Sequence, residues 1–269
     1  MIHLPPLRDV IDRYDLAAKK NLGQHFLLDL NITRKIARLA DLSDSDHVLE
    51  IGPGPGGLTR AILESGATLT AIERDARCID ALNELKAHYP DFTIINDDAL
   101  RAKESALVDE TIKILSNLPY NISTELLIKW LKQPDLWSVM ALMFQREVAD
   151  RILAAPGSKT YGRLSVISQA LSTPVLGFHL PARAFTPPPK VDSTVLRFDP
   201  PPIAVVNIAA LEKITQAAFS QRRKMVRSSL KPVFGERLTE TLHATGIPET
   251  ARAEEISVDH YIELSKTIS

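Results

Sequence analysis

The sequence has one cysteine, Cys78, among 269 residues, so no intrachain disulfide or cysteine-rich zinc site can hold the fold. Aromatic residues make up only 6%, which leaves aliphatic burial as the main source of core. The seven histidines show no metal-ligand spacing, and no metal is expected. Charge is nearly balanced, 32 basic against 33 acidic side chains, so the total points to no polyanionic partner. A long apolar run is also missing. The longest uncharged stretch, residues 164–182, is interrupted by Ser165, Ser168, Gln169, Ser172, Thr173, Pro174, His179 and Pro181, and reads as a soluble helix followed by a strand. Residues 1–16 carry Arg8, Asp9, Asp12 and Arg13 and lack the apolar centre of a secretory signal. These absences suit a cytoplasmic protein without membrane contact. What remains is ordinary for a globular chain, 45% hydrophobic and 24% charged, long enough for one large or two modest domains.

The distribution of charge says more than its sum. Residues 39–116 carry 15 acidic and 7 basic side chains, net −8, and the rest of the chain 25 basic and 18 acidic, net +7. The sharpest basic stretch is 213–231, where Lys213, Arg222, Arg223, Lys224, Arg227 and Lys231 have no acidic residue among them. Such a stretch attracts phosphates by Coulomb attraction and counterion release, or it is simply a solvated helix face.

Along the chain, a polar, partly basic arm at 8–21 precedes a helix at 31–40 with Ile32, Ile36, Leu39 and Ala40 on one face and Asn31 as its cap. Short apolar runs at 48–52, 68–73, 92–96, 111–117 and 139–145 then alternate with amphipathic segments at 57–65, 76–88, 102–108 and 124–132. Five strands alternating with helices predict a doubly wound, Rossmann-like α/β domain with a parallel sheet covered on both faces. Beyond it come helices at 147–154 and 161–172 and strands at 175–180 and 194–198, which can pair antiparallel at the sheet edge. Pro200, Pro201 and Pro202 mark a linker, which places a domain boundary near residue 204 and assigns 1–204 to the α/β domain and 205–269 to a small all-helical domain.

Residues 48–57, Val-Leu-Glu-Ile-Gly-Pro-Gly-Pro-Gly-Gly, run from the first strand into a helix, where missing Cβ atoms let a ligand approach the backbone. The next strand ends in Glu73, 21 residues after Gly52, where a carboxylate can accept from both ribose hydroxyls of a nucleoside cofactor. A nicotinamide dinucleotide and S-adenosylmethionine both fit that geometry. Glu50 favours the latter, because its negative charge beside the turn suits an ammonium and a sulfonium better than a pyrophosphate. No Gly-Lys-Ser/Thr follows the glycines, which excludes a P-loop. After the third strand, Asp98 can accept from the exocyclic amine of the cofactor's adenine, although Asp97 or Asp98 can equally cap the next turn.

The most specific signal is Asn117-Leu118-Pro119-Tyr120 at the end of the fourth strand, the edge where open sheets place their chemistry. An exocyclic adenine nitrogen is a poor nucleophile because its lone pair is delocalised into the ring. Acceptors at the Asn117 side-chain oxygen and the Leu118 carbonyl can draw it toward tetrahedral geometry. Pro119 stiffens the turn, and Tyr120 offers a face for a flipped base. The plainer alternative is a strand-ending turn with a core tyrosine. One Leu-Pro pair, where DNA and protein-amide methylases more usually have two prolines, points to RNA adenine.

These segments, together with 21–27 (Asn-Leu-Gly-Gln-His-Phe-Leu), 117–123, 161–166 (Tyr-Gly-Arg-Leu-Ser-Val) and 185–193 (Phe-Thr-Pro-Pro-Pro-Lys-Val-Asp-Ser), make the chain resemble the ribosomal RNA adenine dimethylase family over nearly its whole length, most closely the bacterial members acting on small-subunit rRNA. The resemblance implies transfer of four methyl groups from S-adenosylmethionine to two adjacent adenosines in the terminal hairpin loop of that rRNA, late in subunit assembly. It implies cofactor contacts at His25, Leu27, Gly52, Glu73, Asp98 and Asn117, with Gly54 in the same turn. The contact at position 25, often Asn in relatives, would be through the backbone. Phe185 would stack on the target base opposite Tyr120, and Arg222, Arg223 and Lys224 would face RNA. The expected partner is the small ribosomal subunit and its rRNA, met by a monomer. The competing expectations are a non-catalytic assembly factor and a large-subunit rRNA methylase of the antibiotic-resistance type.

Overall fold

A computed structural model describes residues 4–18, 23–107, 110–202 and 207–268. Asn21 and Leu22 of the resembling segment, and the boundary expected near 204, lie outside the described residues. The chain forms two compact units, Met1–Arg146 with Val175–Phe198, and Glu147–Pro174 with Asp199–Ser269.

The first unit is built on a seven-stranded sheet. Its strands are β2 (His47–Ile51), β3 (Thr68–Glu73), β4 (Phe92–Asn96), β5 (Ile112–Ser116), β6 (Trp137–Gln145), β7 (Thr173–Leu180) and β9 (Ser193–Asp199), in spatial order β4-β3-β2-β5-β6-β9-β7. The first five are parallel, and β6 pairs antiparallel with β9, as in Met140↔Phe198 and Gln145↔Ser193. All five expected parallel strands are present; β2, β3, β5 and β6 are buried on both faces and read as near-continuous apolar runs, while β4 lies at the sheet edge with Thr93 and Asn96 exposed. The chain winds outward from β2 to β4, then returns to β5 on the other side of β2. The ends of β2 and β5 therefore meet at a topological switch, where the departing loops diverge and leave a crevice.

Two local expectations change. The helix Leu30–Leu39 starts one residue early and is capped by Asp29, whose carboxylate accepts from the Asn31 backbone N–H at 2.8 Å. Asp29 wins over Asn31 because the N-cap must stand just outside the first turn. The arm at 8–21 is not simply polar: Leu7–Arg13 is helical, and Leu7, Val10 and Leu16 are buried. Arg60 Nη1 donates to the Pro5 carbonyl at 2.6 Å, and Arg77 donates to the carbonyls of Asp15 and Ala17. A two-stranded ribbon, β1 (Phe26–Leu27) with β8 (Phe185–Thr186), was not anticipated; it pairs Phe26 with Thr186 and Leu27 with Phe185.

The second unit is helical. Ile208–Ser220 packs on Arg163–Leu171 and on Val258–Lys266. Tyr161 and Tyr261 are fully buried, and each hydroxyl donates to a backbone carbonyl at 2.9 Å, Ile256 and Ala253 respectively. Compact packing thus divides the chain differently from 1–204 and 205–269, since residues 147–174 pack with the C-terminal helices. The prolines at 200–202 mark where the chain is stiff, which is separate from which helices share a core. Among the described residues, no helix is long and apolar enough to cross a membrane.

Candidate active site

A cavity opens at the switch between β2 and β5. It is lined by four segments: residues 23–27, 51–55 with Gly57 and Leu58 at the end of β2 and just after it, 97–99 after β4 and 117–122 after β5, with Ile72, Glu73 and Arg74 at the end of β3. His25, Leu27, Gly52, Gly54, Glu73, Asp98, Asn117, Leu118, Pro119 and Tyr120 are all among its lining residues. The loops after β2, β4 and β5 meet here because each leaves a parallel strand's carboxyl end, and residues 23–27, nearly a hundred positions before the last of them, complete the wall from the ribbon side.

Glu73 organises one side. Its Oε2 accepts from the Gly54 N–H at 2.9 Å and its Oε1 from the Asp75 N–H at 2.7 Å. Each oxygen keeps a lone pair, so a second pair of donors can still be accepted. Burial raises its pKa, opposed by those backbone hydrogen bonds. Gly54 has φ +55°, and a Cβ there would stand 3.1 Å from the Phe26 ring. Gly57 serves packing: a Cβ would stand 2.5 Å from the Leu27 carbonyl oxygen, which the bare helix start admits. Part of the glycine-rich turn therefore seats the 23–27 wall on the domain. Behind the turn, Asp75 accepts from Gln24 at 3.1 Å and pairs with Arg77, whose guanidinium, by hydrogen bonding, lowers the Asp75 carboxyl to about 2.

Glu50 departs from its expected part. It is buried, is absent from the cavity lining, and accepts from the Thr59 hydroxyl at 2.7 Å. Burial pushes its carboxyl up to about 8, against the Thr59 hydrogen bonds and with a further push from Glu73. At neutral pH it carries little charge, so it cannot supply the negative field beside the turn that favoured S-adenosylmethionine over a dinucleotide. The folded state holds this proton more tightly than the unfolded chain, so the stability it contributes is complete below about pH 4.5 and is lost as pH rises toward about 8. Glu50→Gln should abolish that loss. Thermal melts at pH 6 and pH 9 are expected to show a larger Tm advantage for the variant at pH 9, and parallel shifts in both proteins would remove this account.

On the opposite side, Asn117 is the first residue past β5. Its Nδ2 donates to the His25 carbonyl at 3.0 Å, which fixes the amide and leaves the oxygen as its acceptor end. Leu118 is buried, and Pro119 accepts from the Ile122 N–H at 3.1 Å, closing the turn. The Tyr120 hydroxyl lies 2.6 Å from Ser193 Oγ, and burial raises its pKa. The His25 ring stacks on Tyr120, centroids 5.7 Å apart at 26°, with its Nδ1 2.7 Å from the Pro187 carbonyl. Asp98 also does what its alternative reading held: Oδ1 accepts from the Leu100 N–H at 3.0 Å, while Oδ2 lies 3.3 Å from Arg74.

Phe185 is not placed opposite Tyr120 on an open face. It is 2% exposed, belongs to the hydrophobic core and does not line the cavity, because pairing with Leu27 in the ribbon turns it inward. The aromatic beside Tyr120 is His25. The basic residues belong to the other unit. Arg222, Arg223 and Lys224 are exposed, but Arg222 Nη2 donates to the Lys159 carbonyl at 3.0 Å and its Nε lies 3.7 Å from Glu254. Gln24 carried a signal inside the resembling segment, but no partner for it could be named from sequence.

The model of the family described as ribosomal RNA adenine dimethylase matches residues 16–269. Among curated proteins, the chain is 52% identical to the ribosomal RNA small subunit methyltransferase A of Sinorhizobium medicae, with 98% of each chain covered. It is 54% identical to the protein of the same name from Brucella anthropi, covering 97% of this chain and 96% of that one. Among solved structures, a dimethyladenosine transferase from Plasmodium falciparum aligns with TM-score 0.77 at 24% identity, over 89% of this chain and 96% of that one, a likeness of fold. The 23S rRNA methyltransferase ErmE aligns with TM-score 0.70 at 25% identity, over 90% and 98%. A family match over nearly the full length, together with relatives of this identity, settles the descent: the chain belongs to the ribosomal RNA adenine dimethylase family.

Proposed function

We propose that this protein dimethylates N6 of two adjacent adenosines in the 3′-terminal hairpin loop of small-subunit rRNA, with S-adenosylmethionine as methyl donor. The observation that carries the reading is the Asn117 amide, pinned through its nitrogen to His25 so that an acceptor stands at the carboxyl edge of β5, in the same cavity as Glu73 and Asp98.

The residues fit the cofactor. Glu73 retains two acceptor positions for ribose hydroxyls, the Asp98 carboxylate would take the adenine amine, and the 52–54 turn and Leu27 would border the methionine end. When bound, the cofactor supplies an electrophilic methyl group on a sulfonium. The protein's part is orientation. The Asn117 oxygen and the Leu118 carbonyl accept from the target amine and draw its lone pair out of conjugation with the ring. Tyr120, anchored at Ser193, presents a ring for stacking on the flipped base once His25 yields its place. The methylated amine is acidic enough to release its proton to water, so no histidine base is called for.

Arg223 and Lys224 would contact RNA phosphates, each contact steepening the salt dependence of binding by about 0.7 in log–log slope for single strands. Arg222, engaged with Lys159 and Glu254, would chiefly brace the helical unit. A small-subunit substrate supports action in the cytoplasm.

The test is transfer of labelled methyl groups to small subunits lacking the modification, with primer extension to locate the product. Dimethyladenosine at two adjacent loop positions is expected. Tight subunit binding without incorporation would indicate an assembly factor, and label in large-subunit rRNA a resistance-type methylase.

A further inference from the structure

Lys129 lies on the helix Ser123–Leu131, which follows directly on the Asn117–Tyr120 turn. Its side chain is only 23% exposed, and its ammonium donates to the Ala99 carbonyl at 2.8 Å, the Ala102 carbonyl at 2.6 Å and Glu104 Oε1 at 2.7 Å. An ammonium has three N–H donors, so all are engaged. The two carbonyls belong to a turn that Asp98 opens. The Asp98 carbonyl accepts from the N–H groups of Arg101 and Ala102, and its Oδ1 from Leu100. Glu104 is fully buried, and the same Oε1 accepts from Trp130 Nε1 at 2.8 Å. Two consecutive residues of one helix therefore hold the wall that brings Asp97, Asp98 and Ala99 to the cavity.

This arrangement differs from an exposed ion pair. Without Lys129, two turn carbonyls lose their cation and a buried carboxylate keeps, among the described residues, one donor, the indole of Trp130. The turn would then be free to shift, and the Asp98 carboxylate with it, toward the exposed Arg74 already 3.3 Å away. An acceptor selects a donor only when it is held in place. Facing a carbonyl instead of an amine, a fixed carboxylate meets lone pairs with lone pairs, whereas a loose one simply turns aside.

We propose that Lys129 is a positioning residue for cofactor selection: by fastening the turn at 98–102 to the helix after the tetrad, it makes the site choose an aminopurine over an oxopurine nucleoside. The proposal rests on the reading that Asp98 accepts from the adenine amine.

The test is calorimetric titration of the full-length protein with S-adenosylhomocysteine and with S-inosylhomocysteine, in which a carbonyl replaces the amine. Wild type is compared with Lys129→Met, Glu104→Gln and Asp98→Asn. The wild type is expected to prefer the adenosyl compound, and Lys129→Met to shrink that preference by roughly tenfold or more. General loosening would weaken both ligands alike and leave their ratio unchanged. A ratio unchanged in Lys129→Met but collapsed in Asp98→Asn overturns the proposal and leaves the Asp98 reading intact. A ratio unchanged in both overturns the Asp98 reading itself. Should Lys129→Met give no cooperative melt, the isosteric Glu104→Gln carries the test. It weakens the anchor without emptying it, so an intermediate ratio is expected, and a wild-type ratio overturns the proposal.

Discussion

Asn117→Ala is expected to lower the single-turnover rate of methyl transfer by roughly 10²–10³-fold, the range seen when one preorganised hydrogen-bond group is removed from a transition state. Stability should change far less. Among the described residues, the Asn117 side chain makes one hydrogen bond, to the His25 carbonyl, worth about 1 kcal/mol. Asn117→Asp separates the two duties of the side chain. It keeps an acceptor for the target amine but replaces the donor to His25 with an oxygen, so the 23–27 wall loses its tie. Intermediate activity with weakened cofactor binding is expected, measured by single-turnover transfer and by titration. Normal turnover in purified, folded Asn117→Ala would end the proposed mechanism.

Glu73→Ala should abolish cofactor binding in practice, raising Kd by roughly 10²–10⁴-fold if two hydrogen bonds to a charged acceptor are lost together. The same change strips the Gly54 and Asp75 N–H groups of their acceptor, so the turn after β2 loosens as the ribose site disappears. Glu73→Gln is no gentler remedy. Its amide nitrogen must face one of those two N–H groups, donor against donor, and a comparable loss is expected. Calorimetry on both variants, with melts to confirm folding, checks this. A Kd within about threefold of wild type would show that the carboxylate serves the turn alone.

The sheet was legible because β2, β3, β5 and β6 are each buried on both faces and so appear as apolar runs that need no partner to be recognised. Once their order is known, the cavity follows. Residues just past parallel strands gather at one edge, which is why Gly52, Glu73, Asp98 and Asn117 could be named from spacing. The residues that escaped depend on pairings between distant parts of the chain. Phe185 looked like a stacking surface until its register with Leu27 turned it into core. Glu50 looked like a field source until burial against Thr59 made it largely neutral. His25 became the ring beside Tyr120 through contacts to Pro187 and Asn117, 162 and 92 positions away. Lys129 resembled any helical cation, since nothing local announces that its acceptors lie about 25 to 30 residues upstream. The same reason moved residues 147–174 out of the α/β unit: helical periodicity shows that a face is apolar, and the choice of neighbour is made elsewhere.

The short ribbon of β1 with β8 also sets a time. Every residue lining the cavity has left the peptidyl-transferase centre by position 122, yet the strand that pairs with Phe26–Leu27 is not translated until 185 and 186. A nascent chain of 150 residues therefore has every cavity-lining residue in its sequence and one wall without its backbone partner. That wall can find its pairing strand only after about two-thirds of the 269 residues have been made, so the two halves of the ribbon meet across a long stretch of chain.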